Sequence, residues 1–190
     1  MIKPIFERFG IGITISLQVI YVRFFDEFTV QNTIDPSAAY ILNYGLQQVM
    51  SAGTGRSAYS ALPTDLKLAG KSGTTNDTRD SWFAGYSGNY LSVVWLGLDD
   101  NKVTGLTGSS GALPVWTNVM KQLRQKPVNL RQTENVQWQW IDRATGHLSA
   151  QGCEGAMYIP LLRNNVPREA TGCGLPHYQV EPGYNSDTES

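Results

Sequence analysis

The chain has 190 residues, enough for one domain or for one domain with a tail, and its 41% of hydrophobic residues can form a buried core. Charged residues make up 16% of the chain and the formal net charge is −1, which excludes the strongly basic surface typical of nucleic-acid-binding domains. The sequence also has no basic run of the kind that binds anionic lipid.

The first element in chain order is an apolar run over residues 9–22, shorter than the ~20 residues that a membrane-spanning helix needs. Apolar residues alternate in it with polar or small ones, which predicts a strand with one buried face. A secretory signal is the alternative, because Lys3 and Arg8 precede the run, although no small-residue cleavage site follows it. Residues 1–31 are therefore predicted to be strand-rich.

Two helices are predicted. Asp35-Pro36 suits a helix start, with Asp as the N-cap and Pro in the first turn, and this helix is expected to end near Met50, before Gly53. Its buried stripe is expected to comprise Ala38, Ile41, Leu42, Gly45 and Val49. The second helix is predicted from Ser110 to about Gln125, capped by Ser109 or Ser110, with Pro114 in its first turn.

Three strands are predicted between the helices, over residues 66–75, 81–87 and 90–98, with Gly88-Asn89 as a tight hairpin turn. The third run is nearly continuous in apolar residues, which indicates a central strand covered on both faces. The connections are too short for parallel crossovers, so the fold class is predicted to be α+β, an antiparallel sheet flanked by helices. The core is expected to hold Trp82, Trp95 and Trp116, while Trp138 and Trp140 alternate in a later strand.

A Lys-Ser-Gly box lies in the first of these strands, at Lys71-Ser72-Gly73, and Thr74 follows it. By strand alternation, the hydroxyls of Ser72 and Thr74 share one face about 7 Å apart, where they can bind a carboxylate. Gly73 lets an extended peptide backbone lie close to the strand. The Thr74 amide can stabilise an oxyanion, and the Lys71 ammonium adds positive potential.

The other residues with possible site chemistry are two cysteines and two histidines near the end of the chain: Cys153, Cys173, His147 and His177. Their spacing is unlike the usual zinc-ligand patterns, so a disulfide in an oxidising compartment is favoured over a metal site, with two free thiols as a third option. Asp99 and Asp100 are interpreted as a solvated pair at a strand end, and Arg56 and Arg79 as surface salt-bridge residues.

Five segments occur in an order that resembles the C-terminal half of the transpeptidase domain of bifunctional class A penicillin-binding proteins, most of all the 1B type. They are Ala39-Tyr40 through Gln47-Gln48-Val49-Met50, Gly53-Thr54-Gly55-Arg56, Leu68 through Asn76, Asp80 through Gly85, and Gly108 through Trp116. The resemblance is strong over about residues 32–125 and weaker in the tail, where that type also carries two spaced cysteines. It implies a partial penicillin-binding transpeptidase or serine β-lactamase-like fold.

The resemblance also implies a function. It points to a serine D,D-transpeptidase that cross-links peptidoglycan stem peptides on the periplasmic side of the bacterial inner membrane, without a cofactor. Lys71 would be the lysine of the third motif, Ser72, Gly73 and Thr74 would bind the stem peptide or a β-lactam, and the Thr74 N–H would be an oxyanion donor. The implied partners are stem peptides, β-lactams and the rest of the transpeptidase or other cell-wall proteins, and not nucleic acid.

The sequence departs from this pattern at the nucleophile. No serine in the chain has a lysine three positions later, so the Ser-x-x-Lys motif is absent and the chain is expected to be inactive alone. Ser87-Gly88-Asn89 matches the Ser-x-Asn motif by letter but lies downstream of Lys71, and it is interpreted as a turn. The chain also has no clear signal or transmembrane segment.

The expected organisation has four parts. They are the N-terminal segment over residues 1–31, which does not match the family, the transpeptidase half over residues 32–126, an irregular extension with both cysteines over residues 127–182, and a disordered end over residues 183–190. The alternative functions are a non-catalytic cell-wall-binding module and an unstable truncated gene product.

Overall fold

A computed structural model describes residues 34–174 of the chain. This part forms two compact units, which divide between Gln132 and Thr133. The segment predicted to be strand-rich, the end predicted to be disordered and His177 lie outside the described residues. Neither described helix is both long enough and apolar enough to cross a membrane.

The first unit holds two α-helices and a three-stranded antiparallel sheet. In chain order these are α1 (Pro36–Ser51), β1 (Ala69–Thr74), β2 (Ser81–Tyr86), β3 (Leu91–Leu96) and α2 (Leu113–Lys121). Each strand pairs with the next along the chain, in the order β1-β2-β3. The prediction of an α+β fold with an antiparallel sheet is therefore confirmed.

Helix α1 begins as predicted but does not bury the predicted stripe. The carboxylate of Asp35 accepts hydrogen bonds from the amides of Ser37 and Ala38, both at 2.9 Å. The buried residues of α1 are Ser37, Asn43 and Met50, whereas Leu42 is 60% exposed. Asn43 can lie on the buried side because its Oδ1 accepts a hydrogen bond from the Tyr86 hydroxyl, so polarity does not mark the exposed face of this helix.

The prediction that the third strand is covered on both faces is also wrong for the described residues. There β3 pairs with β2 alone, and the side chains of Leu91 and Val93 are 71% and 56% exposed. The alternate residues Val94 and Leu96 face the core side, since successive side chains point to opposite faces of a strand. Trp82 lies on the exposed face and is 44% exposed, which places it outside the core.

The core lies against one face of the sheet and is enclosed by α2, the end of α1 and residues 58–68. Its largest fully buried side chains include Trp116, Phe83, Met50 and Leu68. The rings of Phe83 and Trp116 are 5.1 Å apart between centroids, and Trp116 Nε1 donates to the backbone oxygens of Gly85 and Ser92 at 3.2 Å each. These contacts satisfy the buried indole N–H and fix α2 against the sheet.

Helix α2 follows a single π-helical turn at Gly108–Ala112, so its predicted cap is wrong in position. The capping residue of this turn is Thr107, whose hydroxyl accepts from the Ser110 amide at 3.2 Å, while the Ser110 hydroxyl accepts from the Thr107 amide at 2.9 Å. Pro114 lies in the first turn of α2, as predicted. The reciprocal bonds satisfy two amides that begin the helix.

The second unit contains an antiparallel hairpin of β4 (Val136–Asp142) and β5 (Ala156–Leu162). Trp138 and Trp140 lie on one face, and both contact the ring of Tyr158, at centroid distances of 5.3 and 5.0 Å. Cys153 and Cys173 form a disulfide. This regular hairpin lies within residues 127–182, which the sequence predicts to be an irregular extension.

Candidate functional site

The Lys-Ser-Gly box occupies the third to fifth residues of β1, at the surface of the first unit. Lys71 and Thr74 are exposed, and Ser72 and Gly73 are half-buried. Among the described residues β1 pairs only with β2, so its other edge has no strand partner there. The segment is thus accessible to a ligand from solvent.

Two other segments hold the hydroxyls of Ser72 and Thr74, which share one face of β1. The Ser72 Oγ lies 2.8 Å from the Oγ1 of Thr54, in the loop after α1. The Thr74 Oγ1 accepts a hydrogen bond of 2.9 Å from the amide of Gly108, in the turn before α2. Each hydroxyl therefore has a defined partner, and the pair is positioned by contacts that are far apart in the sequence.

Gly73 lies opposite Trp82 in the sheet, and the pair shapes the other face of the strand. A Cβ at position 73 would lie 3.2 Å from the Cβ of Trp82, which is tighter than an ordinary contact. The Trp82 ring is 6.1 Å from that of Trp95, whose Nε1 donates to Asp80 at 2.9 Å. Trp82 therefore lies beside the box as an exposed aromatic group.

The ammonium of Lys71 lies against the backbone of its own strand. Its Nζ donates to the backbone oxygen of Ser72 at 2.8 Å. No ion pair among residues 34–174 includes Lys71. Its positive charge therefore lies beside the backbone of β1, on the exposed face of the strand, where an anionic ligand can reach it.

The loop that joins β1 to β2 is closed by Thr75 and Asp80. The amide of Asp80 donates to the Thr75 hydroxyl at 2.8 Å, and that hydroxyl donates to the Asp80 carboxylate at 3.1 Å. Arg79 donates to the backbone oxygen of Asn101 and lies 3.9 Å from the carboxylate of Asp77. Arg79 thus contributes to surface pairing, in agreement with its interpretation from the sequence.

Arg56 lies in a different place. It lines a cavity of about 370 Å³, together with Tyr59 and Lys67, and it is exposed. None of the residues of the box lines this cavity. Asp99 and Asp100 are exposed after β3, and Asp100 pairs with Lys102 at 2.6 Å, as expected of a solvated pair.

Ser87-Gly88-Asn89 forms the hairpin turn between β2 and β3. The Ser87 amide donates to the backbone oxygen of Tyr90 at 2.8 Å. The side chain of Asn89 accepts from the Ser87 hydroxyl at 3.2 Å and from the Lys126 amide at 2.8 Å. These bonds give the Ser-x-Asn letters a structural role in the turn.

The sulfurs of Cys153 and Cys173 are joined to each other, so neither is a thiolate that can bind a metal. Within residues 34–174 no three His, Cys, Asp or Glu side chains come together as metal ligands. His147 instead lies 2.9 Å from the carboxylate of Glu169.

Sequence reasoning missed Thr54 and Gly108 as members of the site. Both lie in segments that contribute to the family resemblance, and that is the signal by which they could have been found. Periodicity and spacing cannot identify them, because their contacts with Ser72 and Thr74 join different loops to the strand.

Comparison with known proteins finds penicillin-binding proteins 1A and 1B among the relatives of this chain, although no protein-family model matches it. It is 38% identical over 144 residues to penicillin-binding protein 1A of Pseudomonas aeruginosa, covering 74% of this chain and 17% of that protein. It is 37% identical over 135 residues to penicillin-binding protein 1B of Vibrio cholerae, covering 71% and 17%. To penicillin-binding protein 1B of Escherichia coli it is 32% identical over 160 residues, covering 84% and 18%.

The fold is also found among solved structures. The crystal structure of penicillin-binding protein 1A from Haemophilus influenzae matches 73% of this chain and 22% of that chain, with a TM-score of 0.65 and 24% sequence identity. This likeness shows the fold. The chain spans less than a fifth of the length of the curated relatives named above.

Proposed function

Because this chain is homologous to a segment of penicillin-binding proteins 1A and 1B, we propose that β1 is the substrate-binding strand of a serine D,D-transpeptidase that cross-links peptidoglycan. Its ligand is the D-Ala-D-Ala end of a stem peptide, or a β-lactam in its place. The observation that carries the proposal is the pair of hydroxyls, Ser72 and Thr74, which lie on one face of a surface strand and are each held by a second segment.

The binding chemistry follows from the groups on β1. A carboxylate only accepts hydrogen bonds, and the two hydroxyls can each donate one to it. The Lys71 charge favours the anion, and the edge of β1 that has no strand partner within residues 34–174 can accept an extended backbone by strand addition. In this proposal the Thr74 amide donates to the oxyanion that forms at the penultimate D-Ala carbonyl.

Acyl transfer also requires a nucleophile. A serine oxygen attacks the penultimate D-Ala carbonyl, the C–N bond to the last D-Ala breaks, and an amine of a second stem later accepts the acyl group. The 190 residues contain no Ser-x-x-Lys, so the nucleophile and its base belong to a part of the enzyme that these residues do not include. The 190-residue chain therefore binds ligand without forming an acyl-enzyme.

We also propose that this part of the enzyme lies in the periplasm. The disulfide between Cys153 and Cys173 supports it, since disulfides persist in oxidising compartments such as the bacterial periplasm.

Peptidoglycan pull-down with the 190-residue chain tests the binding proposal. We expect the Lys71→Ala, Thr74→Ala double variant to bind peptidoglycan less than the wild type. The matched control is Lys102→Ala, which removes an exposed lysine that is paired with Asp100 away from the strand. Equal binding by the wild type and the double variant would show that β1 is not the binding element.

Fluorescent penicillin and intact-mass measurement test the inactivity of the isolated chain. We expect no covalent adduct, because removal of the nucleophile leaves only the residual effects of the binding groups. A β-lactam adduct on any serine of these 190 residues would refute this part of the proposal while leaving the strand assignment standing.

A non-catalytic module that binds another cell-wall protein is the second candidate function. The exposed apolar side chains of Leu42, Leu91 and Val93 favour it, since such groups gain free energy when a partner covers them. Rapid proteolysis and binding of a hydrophobic dye by the isolated chain are expected in this case. A protease-resistant chain that binds no dye contradicts it.

A further inference from the structure

One residue outside the Lys-Ser-Gly box, Thr54, adds a hydroxyl to the candidate site. Thr54 Oγ1 lies 2.8 Å from Ser72 Oγ, and the two residues are 18 positions apart. Thr54 is exposed and Ser72 is half-buried. The contact therefore lies at the surface, where water could hydrate each hydroxyl separately. Because the two hydroxyls contact each other instead, we attribute the contact to the fold.

The glycines on either side of Thr54 explain how the loop holds its position. The amides of Gly53 and Gly55 donate to the backbone oxygens of Gln48 and Val49, at 3.0 and 2.9 Å. A Cβ at Gly53 would lie 2.9 Å from the Cα of Val49, and one at Gly55 would lie 2.6 Å from the sulfur of Met50. The loop backbone is thus packed directly on the last turn of α1, on both sides of Thr54.

The direction of the hydrogen bond follows from the number of protons. A serine hydroxyl has one proton, and a carboxylate has none to give at neutral pH. If Ser72 donates its proton to a bound carboxylate, Thr54 must be the donor to Ser72. In such a series of hydrogen bonds each bond polarises the next, which strengthens the bond from Ser72 to the carboxylate.

Thr74 already has the matching arrangement. Its Oγ1 accepts from the Gly108 amide at 2.9 Å, so its own proton remains for a ligand. We propose that Thr54 is a positioning residue that does the same for Ser72, by donating to its hydroxyl and directing the Ser72 proton toward the ligand's carboxylate. This assignment rests on the proposed function of β1.

The test uses the 190-residue chain and two peptides, diacetyl-L-Lys-D-Ala-D-Ala and its C-terminal amide, which lacks the carboxylate. Dissociation constants come from NMR titration of the β1 amide signals. We expect Thr54→Val to bind the acid peptide about fivefold more weakly, the equivalent of one ordinary hydrogen bond, and to bind the amide peptide as the wild type does. Thr54→Ser, which keeps the hydroxyl, is expected to match the wild type.

Thr145→Val is the matched control, since it removes a threonine hydroxyl that makes a hydrogen bond of the same 2.8 Å length in the second unit. It is expected to leave both affinities unchanged. Thr54→Ala is measured alongside Thr54→Val, so that one folded variant is enough for the comparison.

The outcomes separate this assignment from the proposed function. A wild-type chain that does not prefer the acid peptide overturns both. A wild type that prefers the acid peptide, with Thr54→Val unchanged, overturns the Thr54 assignment alone. Equal weakening of both peptides by Thr54→Val, or weakening by Thr54→Ser, shows a packing role and also overturns it.

Discussion

Replacing Gly108 with alanine is expected to lower the free energy of unfolding of the first unit by about 2–4 kcal/mol. A Cβ at this position would lie 2.6 Å from the backbone oxygen of Trp82 and 2.8 Å from that of Gly73. It would also lie 2.8 Å from the Cβ of Ser72. These atoms belong to two paired strands, which cannot move apart without loss of their hydrogen bonds.

The magnitude has two sources. Overpacking at a close contact costs about 1–3 kcal/mol. A methyl group would also push the turn away from β1 and break the Gly108–Thr74 hydrogen bond, which contributes about 1 kcal/mol. The total free energy of unfolding of a small domain is about 5–15 kcal/mol, so the expected loss is a large fraction of it.

Gly45→Ala is the control for the same chemical change. Gly45 lies in α1, and apart from its neighbouring residues and the backbone of its own helix no atom lies within 4 Å of the Cβ that alanine would add there. This variant is expected to be more stable than the wild type by about 1 kcal/mol, because alanine favours helix over glycine.

Urea unfolding followed by the NMR amide signals of β1 measures both variants, since these signals report on the first unit separately from the second. A Gly108→Ala midpoint equal to that of the wild type would refute the reasoning from close contact. A loss of stability in Gly45→Ala as large as that in Gly108→Ala would show that the space around each glycine does not decide the effect.

Three further predictions concern single groups. Asp35→Ala is expected to destabilise the first unit by about 1 kcal/mol through loss of the α1 cap, as measured by urea unfolding; an unchanged midpoint contradicts this. Trp116→Phe removes the indole N–H, which donates hydrogen bonds to the backbone oxygens of Gly85 and Ser92. It is expected to lower the free energy of unfolding by about 1–3 kcal/mol in the same assay, and an unchanged midpoint would refute a role for these bonds. Hydrogen bonds from Thr145 hold the pKa of Asp142 below its ordinary value, so its stabilisation is present above the ordinary carboxyl pKa and is lost as the pH falls through the lowered one. The urea midpoint reported by the β4 amide signals should therefore fall below about pH 4 in the wild type, and it should fall less in Asp142→Asn. Parallel pH profiles of the two proteins would exclude this role.

Local chemistry made some elements predictable. The Asp35-Pro36 pair marked the start of α1, because the carboxylate caps its own first turn. The Gly88-Asn89 turn and the order of the three strands were likewise predictable, because a short connection leaves only an antiparallel neighbour.

The buried faces were not predictable in the same way. Asn43 lies on the buried side of α1 because Tyr86, from a strand far along the chain, supplies a hydrogen bond. Leu91 and Val93 are exposed because alternation places them on the face of β3 away from the core, although their run of apolar residues indicates burial on both faces.

Sequence alone determined the chemistry available on β1, since a lysine, a bare glycine and two hydroxyls at alternate positions are properties of the letters themselves. Tertiary structure alone decided which groups orient those hydroxyls, Thr54 for Ser72 and the Gly108 amide for Thr74. The physical reason is that a hydrogen bond depends on atoms within about 3 Å of each other, and only chain folding brings such distant residues that close.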